Sequence, residues 1–325
     1  MDLLILEPLA ADVTSWLAER HELRVAPELA DDPRAFRGAL YNVRALILPP
    51  HVPVDAQVLR HAPVLRAVGR VSAGAENIDL DACARAGVEV LRSLTASAPA
   101  EAEFVTGALL SMLRRVPVAG ADGMRVGREL GSLTVGLVGM APAARPMAQL
   151  LRAFGSRIVG YDPGLHASDS LWQRWAITPL SLRELFEQSD AVCVQLNYFS
   201  RYHGLIGERF LPFCKADQVI VSLSHSVLFD EAALAEALRS GRIAAAWLDS
   251  VEPGTLDEGR PLNGIPTLQA SPRLASTTRE SRERSAWTVA RRLDELLAGV
   301  AAPLREFRPS GPGEPTDLSG DPASP

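Results

Sequence analysis

Short apolar runs recur along the chain with helix-length stretches between them. Leu3–Leu6, Ala45–Leu48, Ala67–Arg70 and Val88–Leu91 mark the first part. Val135–Val138, Arg157–Tyr161, Ala191–Leu196, Val219–Leu223 and Ala245–Asp249 mark the second. Between them lie amphipathic stretches such as Val13–Glu19, Leu180–Gln188 and Glu231–Ser240. Alternation of this kind predicts an α/β protein built on doubly wound parallel sheets. No internal repeat at solenoid spacing interrupts it.

One stretch breaks the alternation. From Ser97 to Val116, Phe104, Val105, Ala108, Leu109, Met112 and Leu113 recur at helical spacing, behind a start that holds Pro99 and two glutamates. Proline and acids suit a helix start. The spacing therefore predicts a long helix that divides two α/β domains, the second beginning near Gly131. Ser285–Leu297 is the last periodic segment, and residues 308–325 have the Pro/Gly/Ser composition of a disordered tail.

Composition narrows the function. The 325 residues include 33 basic and 39 acidic side chains, a net charge of −6. That lacks the basic footprint that a phosphate backbone demands, so nucleic acid is not the expected partner. No apolar run approaches the ~20 residues of a membrane span. The opening Met1-Asp2-Leu3-Leu4-Ile5-Leu6 has no basic n-region, and Cys83, Cys193 and Cys214 are odd in number and dispersed. These features predict a cytoplasmic protein without a disulfide framework or a zinc cluster. The single lysine, Lys215, sits in a Cys-Lys-Ala-Asp setting that reads as a surface turn.

The segment Val135-Gly136-Leu137-Val138-Gly139-Met140-Ala141-Pro142-Ala143-Ala144 follows a strand and opens a helix that runs through Phe154 to Gly155. A second strand then closes on Tyr161-Asp162-Pro163. This is the βαβ setting of a dinucleotide fingerprint, with an acid about 20 residues on for a ribose hydroxyl. Only Gly139 of the three glycines is kept. Ala144 is a common substitute at the third position, but the Ala141 methyl stands where a pyrophosphate needs close backbone approach. Pro142 has no N–H to offer a phosphate. A βαβ unit that merely packs stays open beside weakened or altered cofactor binding, while Asp162 favours NAD over a 2′-phosphorylated cofactor by charge repulsion.

Across roughly residues 40 to 300 the chain resembles the D-2-hydroxyacid dehydrogenase family. Gly69-Arg70-Val71-Ser72-Ala73-Gly74-Ala75-Glu76-Asn77-Ile78-Asp79 is similar to its substrate-loop signature, and Ala102-Glu103-Phe104 lies on its connecting helix. Val159–Pro163 matches the end of the second cofactor strand, and Asp230–Leu234 through Ser240–Ala244 to Leu248-Asp249 follows the family pattern. The resemblance implies two Rossmann-like domains: residues 1–97 as the N-terminal part of a substrate domain, 98–275 as a dinucleotide-binding domain, and 276–307 as a C-terminal helix returning to the first. It also implies a homodimer, with Glu103–Leu113 as the helix to inspect, and hydride transfer between NAD(H) and a 2-keto or 2-hydroxy acid. Ser72, Ala73 and Gly74 would touch substrate. Gly139, Ala141, Pro142, Ala143, Ala144, Asp162, Leu223 and Asp249 would face the cofactor.

In that family an arginine holds the substrate carboxylate, a histidine moves the proton and a glutamate orients the histidine. Here the arginine position is His225, followed by Ser226 and Val227 in place of two glycines. The glutamate position falls at Gly254 and the histidine position at Arg273. One reading is an exchange: Arg273 anchors an anion, His225 acts as acid–base group, and Glu252 stands in as its orienting partner. Another is a relaxed site in a non-catalytic binding or scaffold protein. A third is a repurposed non-redox enzyme in which His225 and Arg273 act on an anionic substrate. An NAD(H)-dependent oxidoreductase with a rebuilt site is the leading expectation.

Other candidates are weaker. His21, His51, His61 and His166 show no acid at ligand spacing and read as surface or packing residues, and His203 matches a structural position of the family. Tyr198, Phe199 and Tyr202 follow a strand where the family has a prolyl loop; they would either cover a pocket or pack plainly. Ser224-His225 is rejected as a nucleophile–base pair, since neighbours on a strand face opposite ways.

Overall fold

The computed structural model describes residues 1–299 apart from Ala73 and Tyr198. The expected tail at 308–325 and the end of the 276–307 segment lie outside those residues. The chain opens with strand β1 (Leu3–Ile5), helix α1 (Ala11–Ala18), β2 (Leu23–Val25), α2 (Pro33–Ala39), β3 (Ala45–Ile47), α3 (Ala56–Arg60), β4 (Ala67–Arg70), α4 (Leu80–Arg85) and β5 (Glu89–Arg92). After α5 (Ala98–Arg115), β6 (Val118–Ala119) and β7 (Arg125–Val126), a second series begins. It runs β8 (Thr134–Val138), α6 (Ala144–Phe154), β9 (Arg157–Tyr161), α7 (Ser170–Trp175), β10 (Thr178–Pro179), α8 (Leu182–Gln188) and β11 (Ala191–Val194). It continues through β12 (Val219–Ser222), α9 (Glu231–Arg239), β13 (Ala245–Leu248) and β14 (Leu268–Ala270), and α10 (Arg279–Leu297) follows.

The first unit comprises residues 1–97 together with the described residues from 277 onward. Its parallel sheet has the order β2-β1-β3-β4-β5, with Leu3 beside Ala45 and Ala67 beside Glu89. On one face Leu4, Leu46 and Val68 pack with Phe36 and Val58. On the other, Leu3, Ile5 and Ile47 pack with Val13 and Leu17 of α1 and with Val289, Ala290 and Leu293 of α10. Gly69 makes that second layer possible: a Cβ there would stand 2.7 Å from the Val289 side chain. α10 starts at Arg279, six residues before the apolar spacing predicts, because the Thr278 side chain caps the Ser281 N–H at 3.0 Å and the first turns are polar.

The second unit spans 98–276. Its seven strands lie parallel in the order β10-β9-β8-β11-β12-β13-β14, with α5 and α6 on one side and α8 and α9 on the other. The strand order reverses direction between β8 and β11, which opens a crevice at their carboxyl ends. Every run read as a strand is one, with ends within two residues of those expected. β2, β10, β14 and the β6–β7 hairpin carried no sufficient apolar run.

Candidate active site

The crevice is lined first by the turn after β8. Gly139 has φ +95°, and a Cβ there would stand 2.7 Å from the backbone of Leu196, just beyond β11. The chain crossing alone thus demands glycine. Ala141 and Pro142 follow half-buried, Ala143 and Ala144 are buried, and α6 starts without a side-chain cap. Asp162, just past β9, accepts the Met140 N–H at one oxygen and the Gly164 N–H at the other, both at 2.7 Å. A carboxylate oxygen accepts more than one bond, so capacity for a ribose hydroxyl remains. Beside it lies a cleft of about 350 Å³ walled by Tyr161, Leu165, Trp172, Leu180 and Glu184. Burial pushes the Tyr161 phenol up to about 12, which keeps it neutral there.

Whether this crevice suits a dinucleotide is tested by Gln195, which no sequence motif marks. It follows β11, its N–H donates to Val138 O at 2.8 Å, and it is 6% exposed. Both side-chain amide atoms are buried without a hydrogen-bond partner among the described residues. Such an amide costs stability unless something polar meets it. A polar ligand at the switch point fits that need, despite the Ala141 methyl and the missing Pro142 N–H.

Three adjacent strands, β12, β13 and β14, deliver the acid–base and cationic groups from their carboxyl ends. His225 stands three residues past β12, and its Nε2 lies 2.5 Å from Oε1 of Glu252, four residues past β13. Ser226 ties the two loops together: its N–H donates to Ser250 O at 2.9 Å and its hydroxyl accepts the Glu252 N–H at 3.1 Å. Arg273, past β14, has φ +56° and donates Nε–H to the Ser250 hydroxyl at 3.0 Å. The same serine backbone and side chain therefore anchor both sides of the cluster. Ser226 and Ser250 had no sequence signal beyond being small.

Asp249 is put to a use that was not expected. Its buried carboxylate accepts from the Ser271 hydroxyl at 2.5 Å and from the N–H groups of Leu274 and Ala275 at 2.9 Å. Ser271 in turn accepts Trp247 Nε1–H at 3.0 Å, and the Trp247 ring meets Phe104 edge-on at 5.4 Å. The carboxylate thereby holds the turn that aims Arg273. Leu223 packs half-buried on the core beside β12, its N–H on Val194 O.

In the first unit, the candidate substrate turn is held by Arg70. The residue is 2% exposed, and its guanidinium donates to Ser72 Oγ at 3.1 Å and to Asn77 Oδ1. Burial lowers its pKa, while Glu7 and Glu76 push back. Gly74 is half-buried in the same turn, and Ala73 lies outside the described residues.

Some expectations need correction. Ser224 and His225 are beyond β12 and not on it, so the strand-face argument against a serine nucleophile does not apply; instead the buried Ser224 hydroxyl donates to Leu196 O at 2.9 Å. His21 and His51 do meet acids, Asp294 at 2.8 Å and Asp31 at 3.7 Å, the first 273 residues away in sequence. Lys215 pairs with Asp190 at 2.7 Å, a structural bridge. Phe199 meets Tyr202 edge-on at 5.8 Å with Arg201 over both rings, whereas Tyr198 is outside the described residues.

Residues 111–275 match the D-isomer specific 2-hydroxyacid dehydrogenase, NAD binding domain. The chain is 32% identical over 310 residues to the D-3-phosphoglycerate dehydrogenase of Mycobacterium tuberculosis (strain ATCC 25618 / H37Rv), covering 92% of this chain and 57% of that one. It thus spans little more than half of that relative's length. It is 32% identical over 267 residues to the (S)-sulfolactate dehydrogenase of Chromohalobacter salexigens, covering 80% and 86%. Among solved structures, the TT0316 protein from Thermus thermophilus superposes with a TM-score of 0.75 at 27% identity, over 92% of this chain and 97% of that one.

Proposed function

The chain belongs to the D-isomer specific 2-hydroxyacid dehydrogenase family, and from that premise we propose that it is an NAD(H)-dependent oxidoreductase of a small 2-oxo or 2-hydroxy acid with a rebuilt acid–base site. The observation that carries the reading is the His225–Glu252 pair at 2.5 Å, set beside Arg273 on the loops of three adjacent strands. The Gly139–Ala144 turn, Asp162 and Gln195 would hold the cofactor, which when bound supplies or accepts the hydride. In the reducing direction His225 would hand its Nε2 proton to the substrate oxygen, which has to take the place of Glu252 on that nitrogen because the pair meets through Nε2 itself. Glu252 fixes the ring and stabilises its protonated form. Arg273 takes the substrate carboxylate, because a guanidinium presents paired donors to two oxygens. Ser72 and Gly74 are assigned to substrate contact on the motif match. We further assign a cytoplasmic homodimer that uses the exposed side of α5, to be checked by the mass in solution.

The test is calorimetric titration of cofactor-stripped protein with NADH beside Asp162→Ala, then a screen of 2-oxo acids with His225 and Arg273 variants. Micromolar NADH binding that weakens in the variant is the expected result, and its absence at millimolar NADH would sink the reading. His225→Asn is expected to lower kcat by roughly 10²–10⁴. Arg273→Ala should act mainly on KM, with Arg273→Lys recovering little of the loss.

A further inference from the structure

The outer surface of the second unit carries a cluster that the dehydrogenase reading does not use. Arg145, Gln149 and Arg152 stand at helical spacing along exposed positions of α6, and Arg174 and Trp175 reach the same place from the end of α7. Together they line a recess of about 250 Å³. Some arginines elsewhere in this chain sit on carboxylates: Arg44 on Asp2 at 2.6 Å, Arg128 on Asp217 at 3.0 Å and Arg260 on Glu231 at 2.8 Å. Among the described residues, none of the three arginines of the recess has a carboxylate within 4.0 Å, in a chain of net charge −6. Three converging like charges repel one another, so folding gains nothing by bringing them together. An anion with several oxygens removes that repulsion and meets the guanidinium forks.

We propose that this recess is a binding site for a small polyphosphate, either inorganic pyrophosphate or the diphosphate end of a nucleotide. Three guanidiniums exceed what one carboxylate can use and match the charge of a diphosphate. The partly buried Trp175 supplies one flat wall, on which a nucleobase would stack. Gln149, between the arginines in sequence, adds an amide donor. Because α6 opens directly behind the Gly139–Ala144 turn, an anion gripping Arg145 and Arg152 would also restrain the helix that carries the dinucleotide loop.

The experiment is calorimetric titration of the full chain, saturated with NADH, with pyrophosphate, ADP and orthophosphate in parallel. The same series is run on Arg152→Gln, Arg174→Gln and the double variant, with melting curves to confirm folding. Expected is saturable pyrophosphate binding that NADH does not displace and that rising salt weakens. It should fall about tenfold for each arginine removed, as charged hydrogen bonds are lost. Tighter ADP binding that disappears in Trp175→Ala would identify the nucleotide as occupant, and equal affinities would identify the bare diphosphate. Orthophosphate binding as tightly as pyrophosphate, pyrophosphate binding unchanged in the double variant, or displacement by NADH would each overturn the proposal. Should the chain fail to bind NADH, the titration is run without it, so the outcome is independent of the oxidoreductase reading.

Discussion

The carboxylate of Asp249 accepts from Ser271, Leu274 and Ala275 while 3% exposed. Replacing it by alanine leaves those donors buried and unmet, so Asp249→Ala should lose about 1–3 kcal/mol for each donor that no water reaches, read by urea unfolding. It should also loosen the turn that holds Arg273 and so raise KM. The motif match could single out Asp249 but not this use, because its partners follow more than 20 residues later in sequence. The His225–Glu252 pair was legible only as a possibility for the same reason: strand order, and not spacing along the chain, makes neighbours of the loops after β12 and β13. Glu252→Gln should lower kcat and shift its pH profile while leaving NADH affinity alone. Burial alone raises Cys193, and burial chiefly raises Cys214 and Tyr161, each to about 12 against ordinary values of 9.0 and 10.0. In the unfolded chain these groups ionise first, so their contribution is intact below pH 9 and is lost as pH rises toward 12. Stability measured from pH 8 to 11 should fall accordingly, and native Cys193 should resist alkylation.

Among elements, the strands buried on both faces were readable because each is a short unbroken apolar run, as parallel sheets require. The missed ones are edges. β10 is Thr178–Pro179, whose proline suits only an edge, and β14 carries a glutamine and closes the other side of the sheet. Turns were readable where chemistry forced them. Gly139→Ala sets a side chain at φ +95° against the Leu196 backbone, so lowered stability and weakened NADH binding are expected together. α8 offers a milder comparison, since Ser181 and Glu184 form a reciprocal capping box. Ser181→Ala should cost about 1 kcal/mol in thermal unfolding and leave catalysis unaffected.

For the whole molecule, the first unit draws on two chain segments, 1–97 and a second that begins at 277, whereas 98–276 is continuous. Truncation after Ser276 removes Val289, Ala290 and Leu293 from the face they share with Leu3, Ile5 and Ile47. Calorimetry of that truncation should lose the first unit's transition and keep the second's. Gly69→Ala should weaken the same seam by forcing Val289 outward. The divided unit also sets a timetable for synthesis. When residue 97 has left the ribosome, one face of its sheet still lacks the helix that follows residue 277. At ~5–20 residues per second the intervening stretch takes about 10–40 s to make, and for that interval the nascent sheet presents bare leucine and isoleucine. The second unit, uninterrupted, can finish first, so residues 1–97, though translated before it, are among the last to be secured.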